Sequence, residues 1–325
     1  MTRLTGKQVT VAGAGALGLV IALTLARRGA QVTVCDPAAP GDNASGVAAG
    51  MLAPVFEAAL DPAAAGHLDL FRAARDGWTD FAPVALNRTG ALWRGPDAAG
   101  MEARLDALGA RWRRTPEGPF TDEDWRLDPG AAMTVLFAQA ARAGVRFETR
   151  AVEVRDVGPL VVATGAGGQG LAPELDHLTP IKGHILRVAG GPASGPVLRG
   201  AGVYLCPDPA AAVLGATMEF GRFDLRVEAD QVAALKHLGE SLWPGISGLR
   251  ARAETGVRVG TPDGLPLVGP SRRDGVLLAV GARRNGWLLA PLVAQVIAAY
   301  FAGDDPGRWA ARLDPRRFDN KDTDA

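Results

Sequence analysis

Residues 8–36, QVTVAGAGALGLVIALTLARRGAQVTVCD, change hydrophobic period twice. Val9 and Val11 alternate with polar neighbours, as a half-buried strand does. Leu17, Val20, Ile21 and Leu25 then recur at helical spacing, and Val32 and Val34 return to the period of two. The segment reads as strand, tight turn, helix, strand. Toward the other end, WLLAPLVAQVIAAYFAG, residues 287–303, is the longest apolar stretch. It contains Pro291 and Gln295 and is short for a membrane span, so it predicts a buried helix that starts at Asn285 and Gly286.

The turn in the first segment holds Gly13, Gly15 and Gly18 as G-x-G-x-x-G. Gly13 permits the tight turn, Gly15 lets backbone approach a pyrophosphate, and Gly18 lets the helix lie close on the strand. Free N–H groups at the helix start, at Gly15 and Ala16, face the phosphates. Asp36 ends the second strand, where a carboxylate binds ribose hydroxyls. Both strands, the helix and the terminal acid are present together, so a dinucleotide site is expected. The pattern alone does not separate NAD from FAD.

Composition narrows the field. A chain of 325 residues suffices for two domains or one large one. Lys+Arg and Asp+Glu balance at 35 each, leaving no global field toward nucleic acid or an anionic membrane. Two cysteines, Cys35 and Cys206, are too few for a disulfide framework and read as small buried hydrophobes. The four histidines are scattered, so no metal is expected. The N-terminus enters its strand pattern at once and leaves no room for a leader, so the expectation is a soluble, cytoplasmic protein.

After the second strand, GDNASGVAAGMLAP, residues 41–54, replaces a further βαβ unit with small residues, read as leading into a helix through Leu52. Small side chains let backbone amides approach a large planar ligand. Together with the first motif, this segment resembles the D-amino-acid oxidase family of flavoproteins, and A-A-G-M-L-A-P marks its glycine-oxidase branch. LDPGAAMTVLFAQAARAGVRFETRAVEV, PLVVATGAG, LTPIKGHILRV, GVYLCPDPAAAVLGATMEFGRFD, GVRVGTPDGLPLVGP and GARRNGWLLAP carry the resemblance along nearly the whole chain.

The resemblance implies an α/β fold, with a Rossmann-like FAD-binding domain from residues 1–85, 128–180 and 259–325. A mainly antiparallel β substrate domain would come from 86–127 and 181–258. FAD would be held by Gly13, Gly15, Ala16, Gly18 and Asp36, and by Ser45, Ala49, Gly50 and Met51. Val152 would lie near the adenine, Ala163 and Gly165 in a signature turn, and Arg284, Asn285, Gly286, Trp287 and Leu288 at the ring. Gly256 stands where some relatives carry a flavin-linking cysteine, so FAD is expected to be non-covalent.

The implied reaction is oxidative deamination of glycine, a small D-amino acid or N-methylglycine, with dioxygen as co-substrate, serving thiamine thiazole synthesis. A D-amino-acid dehydrogenase with another acceptor, or a non-catalytic FAD-binding subunit, stays open, as does a homo-oligomer. Arg258 is the expected carboxylate clamp, its alternative being a strand arginine paired with Glu254. Arg284 lines the pocket from the flavin side, and Tyr204 contacts the substrate or closes the pocket. Ala282 and Arg283 depart from the family's usual His and aromatic. Arg283 is expected to face away or guard the entrance.

Overall fold

The computed structural model describes residues 2–153 and 158–319. Two sheets organise the chain. The first has six strands in the order Leu267–Pro270, Val276–Val280, Leu160–Val162, Gln8–Ala12, Gln31–Cys35 and Arg146–Glu148. All neighbours run parallel except the first pair. Val9 and Val11 stand opposite Val32 and Val34, the register that the two alternating runs predict. Buried on both faces, such strands need apolar side chains throughout.

The helices Ala16–Arg27 and Gly286–Ala302 close one face of this sheet. Leu19, Ile21, Val293 and Ile297 meet in its core and are essentially inaccessible to solvent. The C-terminal helix is apolar nearly all round because it is covered nearly all round. No helix among the described residues is long and apolar enough to cross a membrane.

The second sheet has nine strands and is mainly antiparallel, the exception being Val197–Gly200, which runs parallel to Ala91–Trp93. Its longest pairing is ten residues of Thr179–Val188 against ten of Ala251–Gly260. This is the α/β architecture expected from the motifs, a Rossmann-like sheet beside a mainly antiparallel one.

One local expectation fails. No helix runs through Leu52. Ala44–Val47 forms a short helix, Met51–Leu52 pairs as a strand with Trp125–Arg126, and the next helix begins at Pro54. Gly50 explains the break: it sits at φ +73°, and a Cβ there would lie 2.1 Å from the Leu127 carbonyl oxygen. Chain and partner strand are thus pressed together before Pro54 opens a helix at the position proline favours.

Candidate active site

The glycine turn does what its spacing requires. A Cβ on Gly13 would lie 2.4 Å from the Ala163 carbonyl oxygen, and one on Gly18 would lie 1.9 Å from the Gly13 carbonyl oxygen. Helix and strand are therefore in backbone contact. Gly15 caps the helix without a side chain of its own, so the amides of the first turn beyond Ala16 stay available to an anion. Ser45 Oγ accepts from the Ala16 amide at 3.0 Å. The Asp36 carboxylate accepts from Ala14 and Ala38 amides at 2.7 and 2.9 Å, which fixes it at the strand end beside the turn.

Around this turn, Ala163 donates its amide to Ala12, Gly165 takes φ +59°, and Val152 is half-buried against the cluster that holds Ala12 and Val162. Asn285 precedes the C-terminal helix, whose first residue, Gly286, has open space where a Cβ would be. Trp287 donates its indole N–H to the Ser45 carbonyl at 3.0 Å, while Leu288 is fully buried in the helical core. The glycine cradle, the open helix start and the fixed acid fit a flavin dinucleotide.

A cavity of about 740 Å³ opens beside this arrangement, walled on one side by Ala49, Gly50, Met51 and Trp287. Strand parity builds the other side. Arg199 stands opposite Tyr204, Tyr204 opposite Gly215, Gly215 opposite Ile185, and, two residues along that strand, Gly183 stands opposite Gly256. Arg258 lies two residues beyond Gly256. Cross-strand partners share a face, as do residues two apart on one strand. Trp93, Arg199, Tyr204, Gly183 and Arg258 therefore form one continuous surface, and all line the cavity.

Arg258 is the unusual member. It is half-buried, and desolvation pushes its guanidinium below the ordinary value, with Tyr204 opposing and Arg284 adding to the effect. Its one hydrogen bond among the described residues goes to the Thr217 carbonyl, at 2.9 Å. The Glu254 alternative does not hold, because Glu254 pairs with Arg187 and Arg252. Tyr204 is 8% exposed and makes no hydrogen bond through its hydroxyl among the described residues. Burial pushes that hydroxyl up to about 12, so it stays a neutral donor at physiological pH.

The Arg258 head lies across Gly183, where a Cβ would come within 1.9 Å of Nη2. Gly183→Ala is therefore expected to displace the guanidinium and cost on the order of 100-fold in kcat/KM. Flavin content should stay unchanged, and steady-state kinetics with an absorbance spectrum would check both.

Both arginines of the pair Arg283 and Arg284 are anchored by acids. Arg283, which does not line the cavity, takes φ +50° and forms an ion pair with the nearly buried Asp61. Arg284 pairs with Glu57, Nε lying 2.9 Å from Oε2 and Nη2 donating to Oε1 at 3.2 Å. Glu57 also accepts from Arg199 at 3.0 Å. It is 3% exposed, and burial works to raise its pKa, but Arg284 and then Arg199 outweigh burial and hold it below the ordinary value. The helix that carries Glu57, Pro54–Leu60, is anchored by Asp124, which accepts the Val55 and Phe56 amides at 2.8 and 3.1 Å.

Glu57, Asp61 and Arg199 are absent from the sequence-based expectation. For Glu57 and Arg199 the one local signal is a lone charge inside an apolar run, in VFEAAL and VLRG. Another cluster, His184, Glu219 and Glu228, brings ligand-type atoms within 4.8 Å of one another. Lys182 and Arg222 ion-pair with its acids, and both histidine ring nitrogens are engaged, so its charges are already met.

A nucleotide-binding parallel sheet beside a cation-lined cavity on an antiparallel sheet defines a dinucleotide-dependent oxidoreductase. Residues 8–300 match the FAD dependent oxidoreductase family (DAO), and the chain belongs to it. It is 30% identical, over 92% of its length, to a tRNA 5-methylaminomethyl-2-thiouridine biosynthesis bifunctional protein, MnmC, of Maricaulis maris, of which it spans 52%. It is 30% identical to a Rhizobium etli protein named as a thiamine biosynthesis oxidoreductase, ThiO, covering 90% of this chain and 95% of that one. Glycine oxidase from Geobacillus kaustophilus is 28% identical over 89% of this chain and 91% of its own. The crystal structure of that oxidase superposes with a TM-score of 0.78, covering 96% and 99% of the two chains at 24% identity.

Proposed function

We propose that this chain oxidises glycine or another small amino acid, a D-amino acid or N-methylglycine, through non-covalently held FAD. The net reaction converts amino acid, dioxygen and water into 2-oxo acid, ammonia (or methylamine) and hydrogen peroxide. Bound flavin supplies the acceptor for a hydride from the substrate α-carbon. The chain's own residues bind and orient. Arg258 grips the carboxylate with its planar fork, and the neutral Tyr204 hydroxyl donates beside it.

The observation that carries this reading is Arg258 itself, half-buried on the cavity face with no carboxylate partner among the described residues. A cation so placed needs an anion to offset its desolvation. The glycine-oxidase and ThiO relatives support small amino-acid chemistry and a place in thiamine thiazole synthesis. Gly256 supports non-covalent FAD, because that position has no side chain to link.

Anaerobic titration of the purified yellow protein tests the reading. Glycine, N-methylglycine or D-alanine is expected to bleach the flavin, and air to restore it with peroxide release. Acid precipitation should leave the polypeptide colourless. A flavin spectrum that no amino acid changes overturns the proposal, and dye reduction without peroxide would assign a dehydrogenase instead.

A further inference from the structure

We propose that the substrate of this cavity carries a second carboxylate besides the one on its α-carbon, and that Arg199 selects for it. The inference rests on the oxidase reading for the reaction. The charge count behind it belongs to the cavity wall alone.

Three guanidiniums sit within the cavity wall, that of the buried Arg199 and those of the half-buried Arg258 and Arg284. One acid answers them. Glu57 Oε1 accepts from both Arg199 and Arg284, and Oε2 faces Arg284. The remaining nearby acids are otherwise engaged. Asp61 is held by Arg283, and Asp124 by the Val55 and Phe56 amides. Asp97 is exposed at the mouth and caps the Gly100 amide. Tyr204 is neutral. With exposed Arg104 and Asp97 offsetting each other at the mouth, the inner wall holds three positive charges against one negative.

A simple amino acid bound with a neutral amine brings one carboxylate, which Arg258 takes. One positive charge remains, shared by Arg199 and Arg284 over Glu57. Arg199 is 2% exposed, and leaving a buried cation under-compensated is costly. It spends Nη2 on Glu57 and Nη1 on the soft sulfur of Met51 at 3.1 Å, so other N–H groups of its fork remain for a ligand. Arg199 and Arg258 project from the same sheet face with three strands between theirs, and Tyr204 stands beside Arg199. Both guanidiniums act on the Tyr204 hydroxyl between them, and two anion-binding heads on one cavity wall suit an amine with carboxylates at both ends.

Calorimetry on the FAD-loaded protein tests this with unreactive acids: acetate against malonate, propionate against succinate, and butyrate against glutarate. At least one diacid is expected to bind about tenfold or more tightly than its monoacid, the size of one added charge-assisted contact. Arg199→Met should collapse that ratio, Arg199→Lys should keep part of it, and Glu57→Gln should widen it. Ratios within about twofold in all three pairs overturn the proposal. So does a diacid preference that survives Arg199→Met. If no amine bleaches the flavin, the oxidase reading falls, while the binding ratios still decide the role of Arg199.

Discussion

Replacing Arg258 with alanine is expected to lower kcat/KM for the preferred amino acid by about 30- to 1,000-fold, with FAD still bound. Losing one partner of a buried, hydrogen-bonded charge pair costs about 2–4 kcal/mol, and each 1.4 kcal/mol is tenfold. The expectation is this large because Arg258 has no carboxylate of its own among the described residues, so a ligand supplies the ion pair it lacks. The same fact protects the fold. Among the described residues, removing Arg258 strands no ion-paired acid, and only the Thr217 carbonyl loses a donor. Arg258→Lys should recover part of the loss, since a point charge replaces the fork without its bidentate geometry. Steady-state kinetics with flavin absorbance would decide, and unchanged kinetics would remove Arg258 from the site.

Sequence reading reached the nucleotide end almost entirely and the charged wall only in part. Gly13, Gly18 and the Val9/Val11 against Val32/Val34 register are local consequences of backbone crowding and period. A pattern of types and spacings reports those directly. The partners of the arginine pair are different. Glu57 and Asp61 lie 227 and 222 residues from Arg284 and Arg283, and no local pattern brings them together. Arg199 was hidden for another reason: all four residues of Val197–Gly200 are buried, so no alternation marks which face meets the cavity. Met51–Leu52 became a strand through a partner at Trp125–Arg126, a tertiary choice overriding an apparent helical lead-in.

Glu57→Ala should be the most destabilising single change at the site, lowering unfolding free energy by about 3–5 kcal/mol. The loss exceeds that of a hydrogen bond because two guanidiniums, Arg199 and Arg284, are left without their shared acid in a largely dry wall. Removing one of them as well should recover part of it, so Glu57→Ala with Arg199→Met is expected to be more stable than Glu57→Ala alone. Acid should narrow the gap between wild type and Glu57→Ala. The folded-state pKa of Glu57 lies below its ordinary 4.5, so its stabilisation is complete above that pH and is lost as pH falls through the folded value. Denaturant unfolding of the three proteins at pH 7 and at stepped acidic pH measures both effects. A gap that is small at pH 7, or that grows on acidification, would mean that Glu57 does not hold the two arginines as a charge.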